Sequence, residues 1–227
     1  MRYADIEQAV FLCRPNRFVA EVLLGGETVV CHVKNTGRMH ELLLPGTAVY
    51  VQKSTNPNRR TPYTLIAAEK GERIINIDSS APNVLFGEWL RKKDYFGKLT
   101  LIQPEKTFGA SRFDYYLESE SERIFVEVKG VTLEQDGHGF FPDAPTERGV
   151  KHLYELISCR EQGYRAAVAF VVKMEGIDWF SPNEETHPAF GAALRAAQAA
   201  GVEILVIGCR VGADWMETAE MIPLRLT

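Results

Sequence analysis

Apolar and polar positions alternate with period two along most of the first eighty residues, the pattern of strands with one face buried. Ala9 to Cys13, Arg17 to Leu24, Glu27 to Val33 and Thr47 to Lys53 carry it. They are separated by Arg14-Pro15-Asn16, by Gly25-Gly26 as a two-residue hairpin turn, and by Leu44-Pro45-Gly46. Thr64 to Ala68 and Arg73 to Ile77 add a further hairpin. Short strands at this density, with one helical insert over Gly37 to Leu43 capped by Thr36, predict a small all-β barrel of the OB type over residues 1–80.

After Ser79-Ser80-Ala81-Pro82 the period changes. A helix is predicted from Asn83 to about Lys93, a strand over Leu99 to Gln103, and a hairpin over Ser111 to Gly130. Glu134 to Pro145 reads as irregular. A second helix follows, with Thr146 as N-cap, Glu147 in its first turn and Val150, Leu153, Tyr154 and Ile157 as its buried stripe, leaving Arg148, Lys151, His152 and Glu155 on the polar side. Ala166 to Val172 is a continuous apolar run, the mark of a strand covered on both faces. An Ala-rich helix over Pro188 to Ala200 and a strand over Val202 to Ile207 complete the order helix, three strands, helix, strand, helix, strand. That is the succession of a restriction-endonuclease-like α/β core over residues 81–227, so the chain reads as a two-domain α+β protein.

Composition adds bounds. The 227 residues are 45% hydrophobic and 25% charged, as in ordinary globular proteins. A net charge of -4 argues against a wholly electrostatic nucleic-acid binder, although residues 1–80 hold ten Lys and Arg against eight Asp and Glu and are locally basic. Cys13, Cys31, Cys159 and Cys209 are scattered without the close spacing of a zinc site, which predicts buried free thiols. No stretch is long enough to cross a bilayer and the first residues resemble no leader, so a reducing cytoplasm and no membrane partner are expected.

The candidate chemistry lies in the hairpin, SRFDYYLESESERIFVEVKG. Arg112, Asp114 and Tyr116 alternate with Phe113, Tyr115 and Leu117, and Glu127 and Lys129 alternate with Val126 and Val128, about the polar turn Ser119-Glu120-Ser121-Glu122. Folded symmetrically, the hairpin sets Asp114 opposite Glu127. Like charges facing across a ladder are destabilising, and a divalent ion with oxygen ligands is what relieves them. With Lys129 on the same face, an Asp followed by Glu-x-Lys suits metal-dependent phosphodiester cleavage. Glu-x-Lys alone is commonplace in exposed strands; the opposed Asp114 singles this one out. Nucleic-acid contacts are expected from Arg38 in the insert, Arg59 and Arg60 in the loop Ser54 to Pro62, Arg112 on the hairpin, and Arg148, Lys151 and His152 on the second helix. Each of these could equally be a solvated charge.

Four runs, NTGRMHELLLPG (Asn35 to Gly46), SRFDYYL (Ser111 to Leu117), VEVKGVTL (Val126 to Leu133) and FPDAPTERGVKHLYEL (Phe141 to Leu156), resemble the sugar fermentation stimulation protein (SfsA) family, in order and over nearly the whole chain. The resemblance implies an OB-like domain followed by a PD-(D/E)xK nuclease-like domain, DNA binding, and a role in sugar-utilisation gene expression. Asp114, Glu127 and Lys129 then take the D, E and K positions as catalytic residues, with Phe113 where a proline is usual. Mg2+ or Mn2+ is the implied cofactor, held by Asp114, Glu127 and a further acid from the first helix, for which Glu88 is the candidate. Two readings stay open, a metal-dependent nuclease and a non-catalytic DNA-binding regulator that keeps the nuclease fold. Nucleic acid, DNA foremost, is the expected partner, and homo-oligomerisation is left open.

Overall fold

The computed structural model describes residues 1–35, 37–56 and 58–226. Thr36, the predicted cap, lies outside them. Strands β1 (Ile6–Asn16), β2 (Val19–Leu24), β3 (Glu27–Val33), β4 (Ala48–Lys53) and β5 (Tyr63–Lys70) are ordered β3-β2-β1-β4-β5, and a parallel β3–β5 pairing closes them into a barrel with β6 (Arg73–Asn76) appended. The predicted strands are all present. The predicted helix over Gly37 to Leu43 is one turn only, in which the Leu42 and Leu43 amides both bond to the Met39 carbonyl.

Beyond the barrel come α1 (Ala81–Lys92), β7 (Leu99–Phe108), β8 (Ser111–Ser119), β9 (Arg123–Val131), β10 (Leu133–Gln135), β11 (His138–Phe141), α2 (Glu147–Glu161), β12 (Arg165–Val172), β13 (Trp179–Pro182), α3 (Pro188–Ala199), β14 (Glu203–Val211) and β15 (Met216–Met221). A six-stranded sheet runs β15-β14-β12-β9-β8-β7, with β9, β12 and β14 parallel at its centre. Leu85, Phe86, Trp89 and Leu90 of α1 cover one face together with Val126 and Val128 of β9. α2 and α3 cover the other through Leu153, Leu156, Phe190 and Leu194, and that layer is continuous with the barrel core. Burial on both faces explains why β12 is apolar throughout.

The segment Glu134 to Pro145, read as irregular, contains the β10–β11 hairpin. Its turn uses left-handed backbone at Asp136 and Gly137 (φ 51° and 79°). β11 then pairs in parallel with β13 as a separate three-stranded sheet. Neither β13 nor the edge strand β15 is visible in the sequence, because β13 has four residues and β15, METAEM, carries no apolar alternation. Cys31, Cys159 and Cys209 are buried free thiols as expected, whereas Cys13 is exposed.

Candidate metal and phosphodiester site

The β8–β9 hairpin turns at the predicted residues, with the Ser119 amide bonded to the Glu122 carbonyl. Its register is the symmetric one, from Glu118↔Arg123 to Tyr115↔Val126. There the paired ladder ends. Instead of continuing it, the Asp114 carboxylate accepts the Val128 N–H (2.8 Å) with one oxygen and the Asn83 side-chain amide (2.8 Å) with the other. The alternation breaks at the same point: Phe113 and Tyr115, two residues apart, pack in different core layers. Glu105 of β7, alongside Asp114, has left-handed backbone (φ 57°).

Glu127 is 4% exposed, and one of its oxygens, Oε1, takes both of its cationic or polar partners: the Lys129 ammonium at 2.5 Å and Nδ1 of His152. The other oxygen, Oε2, is buried with no partner. Electrostatics separates the two acids. Burial pushes the Asp114 carboxyl above the usual range, and the nearby Glu127 charge pushes it further, outweighing the Val128 and Asn83 hydrogen bonds and the Lys129 charge. Burial also pushes Glu127 up, but the His152 hydrogen bond and Lys129 together bring it below the usual range. The site thus holds one firm carboxylate, one reluctant carboxylate and a buried oxygen with nothing to neutralise it. A hard divalent cation fits that set, since it takes carboxylate oxygens and keeps waters for its remaining positions.

The third acid is not where it was expected. Glu88 lies on α1 with its carboxylate 3.1 Å from the N-terminal ammonium of Met1, which also bonds the Met216 carbonyl. The residue α1 brings to Asp114 is Asn83, five positions earlier and so on another side of the helix. Tyr115 fixes Asn83 by donating its hydroxyl hydrogen to the Asn83 carbonyl (2.7 Å). Among the described residues no group of three His, Cys, Asp or Glu side chains is arranged to hold a metal. Asn83 carries no sequence signal, because its role depends on how a helix packs across a sheet.

The predicted nucleic-acid residues divide. Arg38 is exposed and, with Arg14, Arg17 and His40, lines a cavity of about 300 Å³ on the barrel. Arg14, which the sequence did not single out, shapes that loop by donating to the carbonyls of Arg17, Asn35, Gly37 and Arg38 at 2.7–3.0 Å. Arg60 is exposed, and Arg59 is tied to the Thr64 hydroxyl at 3.0 Å. Arg112 is exposed beside Glu105 (3.4 Å), and Lys151 beside Glu155 (3.7 Å). His152 is the correction: it is 4% exposed and belongs to the carboxylate site, with Arg148 on its far side (Arg148 Nε to His152 Nε2, 3.3 Å).

A second polar centre joins the barrel to the large sheet. Lys173, just past β12, is 1% exposed and donates to the Asp78 carbonyl at 3.2 Å. Burial pulls its pKa down to about 8 against the opposing charges of Asp78 and Asp143. Asp143, from the segment leading into α2, lies against Gly37 in the barrel loop bearing Arg38, and burial raises its carboxyl above the usual range against the lowering pull of Lys173 and the nearby backbone amides.

Among the described residues no helix is long and apolar enough to cross a membrane. Residues 12–77 match the SfsA N-terminal OB domain and residues 80–215 the sugar fermentation stimulation protein RE domain. Sugar fermentation stimulation protein homologs of Ruminiclostridium cellulolyticum and Desulfitobacterium hafniense (strain DSM 10664 / DCB-2) are 49% and 50% identical over 226 residues. The match covers all of this chain in both cases, and 100% and 99% of the relatives. The structure of Pyrococcus furiosus SfsA in complex with Ca2+ superposes with a TM-score of 0.88 at 28% identity, covering 99% of this chain and 98% of that one. An OB barrel followed by an α/β domain, matched along its whole length by these relatives, places the chain in the sugar fermentation stimulation protein (SfsA) family.

Proposed function

We propose that the chain binds nucleic acid and carries a metal-dependent phosphodiesterase site at the β8–β9 hairpin. The observation that carries this reading is the buried, unpartnered Oε2 of Glu127 close to the reluctant carboxylate of Asp114, with Lys129 on the same strand face. Asp114 and Glu127 would hold Mg2+ or Mn2+. Such an ion, when bound, polarises a phosphoryl oxygen and offsets the charge that develops there. Asn83 and the Val128 amide keep Asp114 aimed, and Lys129 orients water at the scissile phosphate and meets the developing negative charge. Residues 1–80 grip the polyanion through Arg38, Arg59 and Arg60, and residues 81–227 add Arg112, Arg148 and Lys151 beside the site. The Ca2+ complex of the Pyrococcus furiosus relative supports a hard divalent ion in this fold.

One observation favours the second reading, a DNA-binding regulator without turnover: the Lys129 ammonium is already neutralised by Glu127. Single- and double-stranded DNA and RNA incubated with Mg2+ or Mn2+, and with EDTA, separate the two. Cleavage is expected only with metal. Lys129→Ala is expected to lower it roughly a hundredfold or more, the effect of removing one electrostatic stabiliser, while affinity stays within about tenfold. Wild type that binds but cleaves no better than Lys129→Ala decides for the regulator.

A further inference from the structure

His152 is a polar residue on the buried side of a helix that an apolar side chain could cover as well. Its ring is 4% exposed and lies edge-on to Phe113, with centroids 6.0 Å apart. Two contacts define its chemistry. Glu127 is ion-paired with the Lys129 ammonium through Oε1 and as a carboxylate only accepts, so Nδ1 of His152 carries the proton that meets Oε1. Arg148 is a donor only, so Nε2 of His152 offers its lone pair to Arg148 Nε at 3.3 Å. Each neighbour thus selects the same tautomer. His152 and Lys129 both engage Oε1, which leaves Oε2 buried and without a partner.

We infer that His152 is a positioning residue for the metal site: its Nδ1–H pins Oε1 of Glu127, fixing the carboxylate rotation so that Oε2 is presented to a divalent cation. This rests on the metal-site reading of Asp114 and Glu127. Arg148, expected from the sequence only to touch phosphate, sets the His152 tautomer and thereby links the exposed side of α2 to the buried acid. A carboxylate free to rotate binds an ion less well, and groups that orient a ligand in this way typically contribute about 10–100-fold in metal affinity.

Titration calorimetry with Mn2+ alone, on the full chain, tests the assignment with two variants. His152→Leu keeps bulk and removes the donor, and is expected to weaken Mn2+ binding about 10–100-fold. His152→Asn loses bulk but keeps an N–H near the Nδ1 position, and is expected to bind at least about tenfold tighter than His152→Leu. A packing role predicts the reverse order. If His152→Leu binds Mn2+ as wild type does, or His152→Asn is as weak as His152→Leu while folded, the positioning role is overturned with the metal site intact. If wild type binds no Mn2+, the metal-site reading falls and this role with it. A third measurement needs no histidine variant: 15N NMR of the metal-free protein is expected to find the His152 proton on Nδ1, with its resonance shifted in Glu127→Gln. An unprotonated Nδ1 in wild type overturns the proposal whether or not the variants fold.

Discussion

Asp114 is held by two good hydrogen bonds and is still an unfavourable charge, because burial and Glu127 together outweigh Asn83, the Val128 amide and Lys129. Its folded-state pKa is raised, so its contribution to stability is full below the ordinary Asp range and is lost as pH rises through the raised value. Glu127 works oppositely: its pKa is depressed, so its contribution is present above the ordinary Glu range and lost as pH falls through the depressed value. Asp114→Asn is therefore expected to raise the metal-free Tm at pH 7 by about 2–4 °C, the shift that ~1 kcal/mol produces in a chain of this size. The gain should vanish at acid pH, where Asp114 is itself neutral, and Mn2+ should stabilise wild type and not the variant. Equal metal-free Tm values at pH 7 in scanning calorimetry would refute the repulsion. At this scale the residue types at Asp114, Glu127 and Lys129 are visible in the sequence, and period two puts Glu127 and Lys129 on one face of β9, whereas Asp114 lies past the end of the β8–β9 ladder, where that period no longer holds. Glu88 failed because one acid on a helix can point anywhere until the helix is docked.

At the scale of elements, α2 is instructive. The expected stripe was Val150, Leu153, Tyr154 and Ile157, whereas the side facing the core carries Gly149, His152, Leu153 and Leu156, each one residue earlier. One residue is about 100° of helix rotation. Gly149 and His152 carry no apolar signal, so the pattern misled, and Tyr154 is 52% exposed. What turns the helix is contact: Gly149 allows close approach to Phe190 of α3, and His152 reaches Glu127. The start of the helix, by contrast, was legible, because a cap is local. The Thr146 hydroxyl accepts the Gly149 N–H at 3.1 Å as predicted. Thr146→Ala is expected to remove about 1 kcal/mol, or about 2–4 °C in Tm, by leaving that N–H without its acceptor. Thr146→Ser should recover most of the loss in the same thermal melt.

At the scale of the whole molecule, the barrel meets the rest of the chain over charged side chains, Glu134 in the small β10–β11–β13 sheet and Lys173 just past β12 of the large one. Lys70 and Arg73 reach Glu134 at 2.8 and 3.6 Å, and Lys173 lies among Asp78, Asp143 and Cys209. Because burial lowers the Lys173 pKa to about 8, the unfolded chain binds more protons than the folded one between that value and the ordinary lysine range. Stability on this account rises as pH increases through that window. Urea unfolding at pH 7.5 and 9.5 should detect the gain in wild type and its loss in Lys173→Met; an unchanged slope would place the amine in a wetter site. The exposed arginines predict a second whole-molecule property. The logarithm of nucleic-acid affinity should fall linearly with the logarithm of salt concentration, and Arg38→Ala or Arg60→Ala should each reduce the slope by about one if the residue meets a phosphate. Filter binding across a salt series checks it, and a flat wild-type profile would remove the electrostatic grip.

The sequence by itself determined what short-range physics controls. Period-two alternation, glycine turns and one threonine cap place the barrel strands, the β8–β9 register as far as Tyr115↔Val126, the start of α2, and Glu127 and Lys129 on one face of β9. Only the tertiary structure decided the partners that come from elsewhere in the chain. Asn83 reaches Asp114 across 31 residues, His152 reaches Glu127 across 25, and Lys173 is enclosed by the barrel's Asp78 from 95 residues away. Such contacts depend on the packing of one face against another, which leaves no periodic trace in the residues that make them.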